Sequence, residues 1–518
     1  MATRQFLRVP APLAKHISAV DELLIMKFRL CSLGAALAIL ISACIPAPVT
    51  VTPEPTTLPT STPELGATPM PTRTLFPPGE KLPYEAQSGD TLPALAVHFN
   101  TTVDLIRQAN PSLPEAVTTL PAGYPMEIPS YHLPITGTPF KILPDSEVIN
   151  GPTAVEFDLR QAVLGRPGFL SGLDDFAFGE QRPAWQVVET VALNYSIHPR
   201  LLLTLLEHQT QALSQPFAQG SAASYPLGLE DPSVRGLYRQ LLWAAERLNN
   251  GYYGWRTGKI RDFETVDGFI VRPDPWQNAG TVAVQYLLAG LYEKEQFDQQ
   301  IASEGIQRSY RSLWGNPFEY SENLIPGNLQ QPELALPFLP NRIWDFTGGP
   351  HPSWGESLPF GALDFAPPAV QGGCASSSEW VAAPAAAYVT RSERAMIVLD
   401  LDGDGDERTG WILVFFHMDS NNRIEAGVSV QQGDLLGHPS CEGGQATGTH
   451  FHIARRYNGE WIPAAGPLAF RLDRWVSYAG EEAYEGTLRR GSKVVPASVD
   501  TTFENQIVYE LPGEDEPQ

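Results

Sequence analysis

Proline most limits what this chain can fold into, because each one fixes a backbone angle and removes a hydrogen-bond donor. The 518 residues include 48 prolines, and 11 of them crowd into residues 45–83. That stretch, IPAPVTVTPEPTTLPTSTPELGATPMPTRTLFPPGEKLP, is rich in Pro, Thr and Ser and cannot build a packed core. It is expected to run extended as a stalk, at up to ~3 Å per residue. Folded units must lie beyond it. The remainder is too long for one core at about 150 residues per domain, so a multidomain chain is expected. A formal net charge of −23 repels polyanions at long range and argues against nucleic acid as a partner.

Ahead of the stalk, Met26-Lys27-Phe28-Arg29-Leu30 opens an apolar run over 31–41 that ends in Ser42-Ala43-Cys44. The run is shorter than the ~20 residues a spanning helix needs. Residues 26–44 resemble the signal peptide of bacterial lipoproteins, with a lipobox at the end. The resemblance implies export, lipidation of Cys44 and a lipid anchor in the membrane, with the chain facing the cell wall. Residues 1–25 precede the pattern, which places the expected start of translation at Met26. Of the four cysteines, Cys31 then lies in the signal and Cys44 takes the lipid. Cys374 and Cys441 remain, either as one disulfide in an oxidising compartment or as two unpaired thiols.

Residues 84–130 begin with a short strand. The turn Ser88-Gly89-Asp90-Thr91 then caps an amphipathic helix through Leu92, Leu95, Ala96 and Phe99. A second helix runs from Thr102 to Asn110-Pro111, and Tyr124-Pro125-Met126-Glu127-Ile128 closes the unit as a strand. This small β-α-α-β pattern resembles a LysM domain. The resemblance implies binding of N-acetylglucosamine-containing glycan by the loop Gly89, Asp90, Thr91, Leu92 and by the loop after Asn110 and Pro111.

A linker is expected at 131–156. Residues 157–325 then show helical spacing at 184–192, 199–211, 234–249 and 277–292. The run from Tyr195 to Thr210 resembles the active-site helix of lysozyme-like lytic transglycosylases, whose catalytic glutamate stands ten residues after the proline. Counting from Pro199 gives Gln209, and an amide cannot donate the proton that glycosidic cleavage needs. Glu207 lies roughly 200° away around the helix. A mainly α-helical, lysozyme-like and non-catalytic middle domain is therefore expected.

Residues 332–478 alternate in short, Gly-punctuated strands at 395–401, 411–417, 434–437 and 449–455, which predicts a mainly antiparallel β domain. An extension with an acidic tail is expected over 479–518. In Gly448-Thr449-His450-Phe451-His452-Ile453-Ala454, strand geometry puts His450 and His452 on one face and Phe451 and Ile453 on the other. With an upstream His and Asp, these imidazoles could form a tetrahedral zinc site that keeps one position for water.

His-x-His alone is a weak signal, and its neighbours carry more. Gly348-Gly349-Pro350-His351, Ala362-Leu363-Asp364-Phe365, Val381-Ala382-Ala383-Pro384, Phe415-Phe416-His417-Met418 and the turn from Gly427 to Gly437 precede it in that order. The series resembles the lysostaphin/LytM-type zinc metallopeptidases. The resemblance implies a zinc endopeptidase that cuts the peptide cross-bridges of peptidoglycan. It implies His351, Asp364 and His452 as zinc ligands, with His450 and His417 activating water and stabilising the developing oxyanion. LytM-type members usually space the first two ligands four apart, a place taken here by Phe360. Thirteen positions separate His351 from Asp364, closer to the beta-lytic branch. Either the loop 352–361 brings two distant ligands together, or His351 is a loop residue and the site is incomplete. His438 reads as a rim residue.

Two alternatives remain at this point: a zinc-less regulator of other wall hydrolases, and a glycan-cleaving enzyme centred on the helical domain. A further acidic run places Asp400, Asp402, Asp404 and Asp406 at the spacing that opens a calcium loop. Its twelfth position is Trp411 and not glutamate, so calcium and a plain Asp/Gly hairpin tip both stay open.

Overall fold

A computed structural model of the protein describes residues 70–74, 76–131, 137–368 and 372–510. The expected signal peptide, Cys44, most of the stalk and the acidic tail lie outside the described residues. Among the described residues, no helix is long and apolar enough to cross a membrane.

Strand β1 (Glu80–Glu85) pairs antiparallel with β2 (Pro125–Ser130), with Leu82 opposite Ile128. Between them lie α1 (Leu92–His98) and α2 (Val103–Ala109), each capped by a threonine hydroxyl, from Thr91 and Thr102. Leu82, Leu95, Phe99, Ile106 and Ile128 form the core of this β-α-α-β unit. The first strand starts inside the stretch expected as stalk.

The middle domain holds α3 (Leu159–Leu164), a hairpin of β3 (Asp174–Ala177) and β4 (Glu180–Pro183), α4 (Ala184–Tyr195), α5 (Pro199–Thr210) and α6 (Leu237–Thr257). A small hairpin of β5 (Phe263–Glu264) and β6 (Ile270–Val271) follows, then α7 (Ala279–Ala289), α8 (Lys294–Ile301) and α9 (Ile306–Trp314). Helix α7 is buried on most sides through Val282, Ala283, Val284, Leu287 and Leu288, as its largely apolar sequence requires. The segment expected as a linker at 131–156 is part of this domain. Ile142, Leu143, Val148 and Ile149 are fully buried in its core, a burial that a solvated linker could not sustain.

The remaining chain forms a large antiparallel sheet. Its strands are β7 (Ile343–Pro352), β8 (Phe360–Ala366), β10 (Ala387–Glu393), β11 (Met396–Asp400), β12 (Trp411–Phe416), β13 (Ser429–Val430), β15 (Phe451–Tyr457), β16 (Glu460–Trp461) and β21 (Gln506–Val508). The order is β13-β10-β11-β12-β15-β8-β7-β21, with β16 on β15. The short pair β9 (Val381–Ala382) and β14 (Leu435–Gly437) lies apart from it. A four-stranded sheet is made of β17 (Arg471–Leu472), β18 (Trp475–Ala479), β19 (Gly486–Arg490) and β20 (Lys493–Pro496). The boundary expected at 478 falls within β18, so residues 479–510 are not an appendage. Strand β21 covers the edge of β7, which would otherwise present unpaired backbone groups.

Both faces of the large sheet are apolar. Ile397, Leu399, Leu413, Phe415, Phe451 and Ile453 pack with Trp344, Trp475 and Leu488 on one side. The alternate residues Met396, Val398, Ile412, Val414 and Ala454 join the core of the helical domain on the other. The helices therefore act as the second layer of the sheet.

Candidate metal centre

The thirteen-residue gap between His351 and Asp364 closes because their strands are neighbours. In the sheet register Asp364 on β8 stands opposite His452 on β15 and opposite Gly348 on β7. Register shifts along β7 re-aim His351 onto the same face, as bulges beside active sites do. The loop reading that left His351 outside the site is thereby set aside. Gly348 is needed for room, since a Cβ there would lie 2.6 Å from Asp364 Oδ2.

Three donor atoms converge. His351 Nε2 is 3.1 Å from His452 Nδ1 and 3.3 Å from Asp364 Oδ1, and His452 Nδ1 is 3.6 Å from the same oxygen. At metal–ligand distances of about 2.0–2.2 Å, tetrahedral ligands stand roughly 3.3–3.6 Å apart. The protonation pattern agrees. His351 Nδ1 donates to the Gly349 carbonyl at 2.8 Å, and His452 Nε2 donates to the Ser353 carbonyl at 3.1 Å. In the neutral rings the nitrogens that face each other therefore carry lone pairs. Asp364 Oδ1 is buried without a hydrogen-bond donor. Such a meeting of acceptors is unstable without a proton or a cation between them. The two carbonyls fix the ring tautomers, as the outer partners of metal-binding histidines do.

The electrostatics follow from burial and crowding. Burial alone would raise the Asp364 carboxyl, but the imidazoles of His351, His450 and His452 hold it far below the usual carboxylate range. Burial opposes the charged form of His351, yet the Asp364 carboxylate outweighs it and pulls that ring up. For His452, burial and the neighbouring His351 push the ring down to about 3.

His450 and His417 stand beside this triad. Their ring centroids are 4.5 Å apart, and His450 Nε2 lies 3.9 Å from Asp364 Oδ2. Each donates its Nδ1 proton to a carbonyl at 2.8 Å, His450 to Gly448 and His417 to Glu442, which leaves both Nε2 atoms as proton acceptors. Burial, with His450 close by, lowers His417 to about 4. Cys374 and Cys441 are joined in a disulfide next to this pair. His438 lies elsewhere, bonded to the Glu379 carbonyl and packed on Trp380.

Tyr484 lines the site and was not foreseen. Its ring stacks on His351 at 4.3 Å and 16°, and its backbone pairs with Gly349 and Pro350. It lies in the stretch taken for an extension, and no pattern in an acidic loop marks it.

The family model for the LasA N-terminal domain matches residues 141–328, and that for the LysM domain matches residues 84–129. The chain is 25% identical to Protease LasA of Pseudomonas aeruginosa over 332 residues, covering 57% of this chain and 75% of that protein. It is 27% identical to the beta-lytic metalloendopeptidase of Achromobacter lyticus over 144 residues, 26% of this chain and 35% of that one. The chain is a metallopeptidase with a LysM domain, and it is similar to the LytM-type enzymes. Among solved structures, the M23 metalloprotease pseudoalterin from the deep sea is 26% identical, with a TM-score of 0.28 over 32% of this chain and 96% of its own.

Elsewhere in the peptidase, the helical domain offers no free acid at the expected transglycosylase position. Gln209 Oε1 accepts from the Tyr292 hydroxyl at 2.8 Å, and the Glu207 carboxylate is engaged by Ser214 and by the Leu213 amide. Asp400, Asp402 and Asp404 bring carboxylate oxygens within 4.8 Å of one another, but Asp406 turns to Arg408 at 2.6 Å. Asp400 caps its own turn by accepting from the amides of Asp402, Gly403 and Gly405, as a hairpin tip does.

The peptidase's LysM residues serve mainly to hold the module together. Asp90 accepts from the Tyr84 hydroxyl and the Gln87 amide, Thr91 caps α1, and Leu92 is in the core. Asn110 ties α2 to β2 through Glu127, and Pro111 is exposed. Gly89 faces the helical domain, where a Cβ would meet the Arg256 guanidinium at 2.6 Å. Of the two loops expected to contact glycan, the one from Gly89 to Leu92 is thus covered from within the chain, while the one after Asn110 leaves Pro111 exposed.

Proposed function

We propose that this metallopeptidase is a zinc-dependent endopeptidase that cuts peptide cross-bridges of peptidoglycan, held to glycan by its LysM domain and to the membrane by a lipid on Cys44. The reading is carried by one observation: two imidazole lone pairs and a buried, unpartnered carboxylate oxygen meet at the spacing of tetrahedral ligands. His351, Asp364 and His452 would hold the ion. Bound there, zinc supplies Lewis acidity, which polarises the scissile carbonyl and makes water nucleophilic near neutral pH. His417 and His450 do the proton work. Their Nε2 atoms are free to take the proton of the attacking water and, once charged, to pass it to the departing amine. Tyr484 closes one wall of the site against His351.

A tether and a glycan-binding module raise the local concentration of a polymeric substrate without adding catalytic contacts. The test combines metal analysis of the purified protein with mass analysis of digested sacculi. About one zinc per chain is expected, lost in His452→Ala, because three protein ligands are needed to retain it. The digest should release new amine termini. A metal-free wild-type protein sinks the reading, and anhydro-sugar ends in place of amines would move the chemistry to the helical domain.

A further inference from the structure

The disulfide lies outside the triad, yet both of its halves sit between residues that grip the proton-transfer pair. On one side of Cys441, the Ser440 amide donates to the His417 carbonyl at 2.7 Å, and its hydroxyl to the same oxygen at 2.9 Å. Ser440 also accepts from the His450 amide at 3.3 Å, which makes it a bridge between the two histidines. On the other side, Glu442 supplies the carbonyl that takes the His417 Nδ1 proton. Cys374 is placed in the same manner. Its neighbour Gly373 accepts from the Thr449 amide at 3.0 Å, and Ala375 accepts from the Thr449 hydroxyl, one residue before His450.

His417 needs such a grip. It follows the last residue of β12 with φ of 61°, a left-handed conformation that is strained for a non-glycine residue and persists only where the surroundings impose it. Among the described residues, the segments around both cysteines are loops without ladder pairing of their own beyond the single bridges at Pro439 and Ser440. Cys374 is exposed, so a reductant can reach the bond.

We propose that the Cys374–Cys441 disulfide is a positioning clamp for His417 and His450, holding the Glu442 carbonyl and the Ser440 backbone where they fix the tautomer and placement of the pair. The role rests on the reading of these histidines as the proton-transfer pair, and it is separate from metal retention: the ligands His351, Asp364 and His452 ride on β7, β8 and β15, with β8 paired to both of the others. Reducing the bond should therefore leave the ion in place and slow the chemistry. The site would be active in an oxidising compartment and attenuated in a reducing one.

The experiment treats the purified full chain with a phosphine, which takes the oxygen of a water molecule to become its oxide while the disulfide takes up two electrons from phosphorus and the two protons of that water. Peptidase rate and zinc content are read before reduction, after it, and after reoxidation. A misplacement of about 1 Å in a reacting group costs on the order of a hundredfold, so kcat is expected to fall at least tenfold. KM should change little, zinc should stay bound, and reoxidation should restore the rate. Cys374→Ser/Cys441→Ser should match the reduced form. Undiminished kcat overturns the clamp, and so does loss of zinc in step with activity, which would make the bond a support of the metal site. A second readout needs neither reduction nor turnover. In the oxidised protein, imidazole nitrogen NMR should show His417 with its proton on Nδ1 and exchanging slowly, and a proton on Nε2 overturns the proposal even if the reduced chain fails to fold. An oxidised enzyme with neither zinc nor activity would instead defeat the metallopeptidase reading.

Discussion

A single hydrogen atom at Gly348 decides whether Asp364 can reach its partners. A methyl group there would stand 2.6 Å from Asp364 Oδ2, with β7 and β8 paired so that neither side can retreat cheaply. Gly348→Ala should thus displace the carboxylate while the sheet survives. Zinc affinity is expected to fall about 10–100-fold, the usual cost of disturbing a ligand's setting. Competition with a chelator measures it, and an unchanged affinity would show that Asp364 is not a ligand. Asp90 offers a second test at this scale. Burial raises its carboxyl to about 6, despite bonds from Tyr84 and Gln87. A folded-state value above the unfolded one of 3.8 means stability that is complete below the latter and lost as pH rises through about 6. The LysM domain should therefore gain about 1 kcal/mol between pH 7 and 5. Asp90→Asn should flatten that slope in chemical denaturation monitored on this domain.

At the scale of elements, period-two alternation made β11, β12 and β15 legible, and it put His452 opposite the side of Phe451 and Ile453 as expected. The order of short motifs was enough to name the residues that gather at the triad. What the sequence hid was non-local. The long spacing of His351 and Asp364 makes sense only once β7 and β8 are known to pair with bulges, and bulges leave no composition signal. Tyr484 enters the site through a loop whose residues look like any acidic surface. The linker at 131–156 and the extension at 479–518 were misjudged because short apolar segments acquire partners only from distant chain. The two-sided burial of the sheet gives a test. Ile412 and Leu413 are adjacent on β12, one facing the helices and the other the four-stranded sheet. Ile412→Ala and Leu413→Ala should each cost about 2–5 kcal/mol in chemical denaturation. A negligible cost at Ile412 would mean that the helical layer is not part of the folded core of the peptidase.

At the scale of the whole molecule, Arg256 on α6 sits where the three domains meet. Its guanidinium pairs with Glu460 of β16 at 2.8 Å and with Asp145 at 3.0 Å, and it lies against Gly89 of the LysM turn. Those attractions keep it charged in spite of burial. Removing one partner of a buried ion pair strands the others, typically at about 3–5 kcal/mol. Arg256→Met should lower the stability of the full chain by that order in urea, with Asp145 and Glu460 left uncompensated. It should also loosen the LysM domain, although Ser88 bonded to Ile325 and His98 stacked on Trp255 at 3.6 Å remain as contacts. The Gly89 to Leu92 loop, which the LysM resemblance assigns to glycan, would then be uncovered. Retention on purified sacculi should rise, together with cleavage of the LysM boundary by an added protease. If retention is unchanged while the boundary opens, glycan is held by another surface of this module, and the covered loop serves only to dock it.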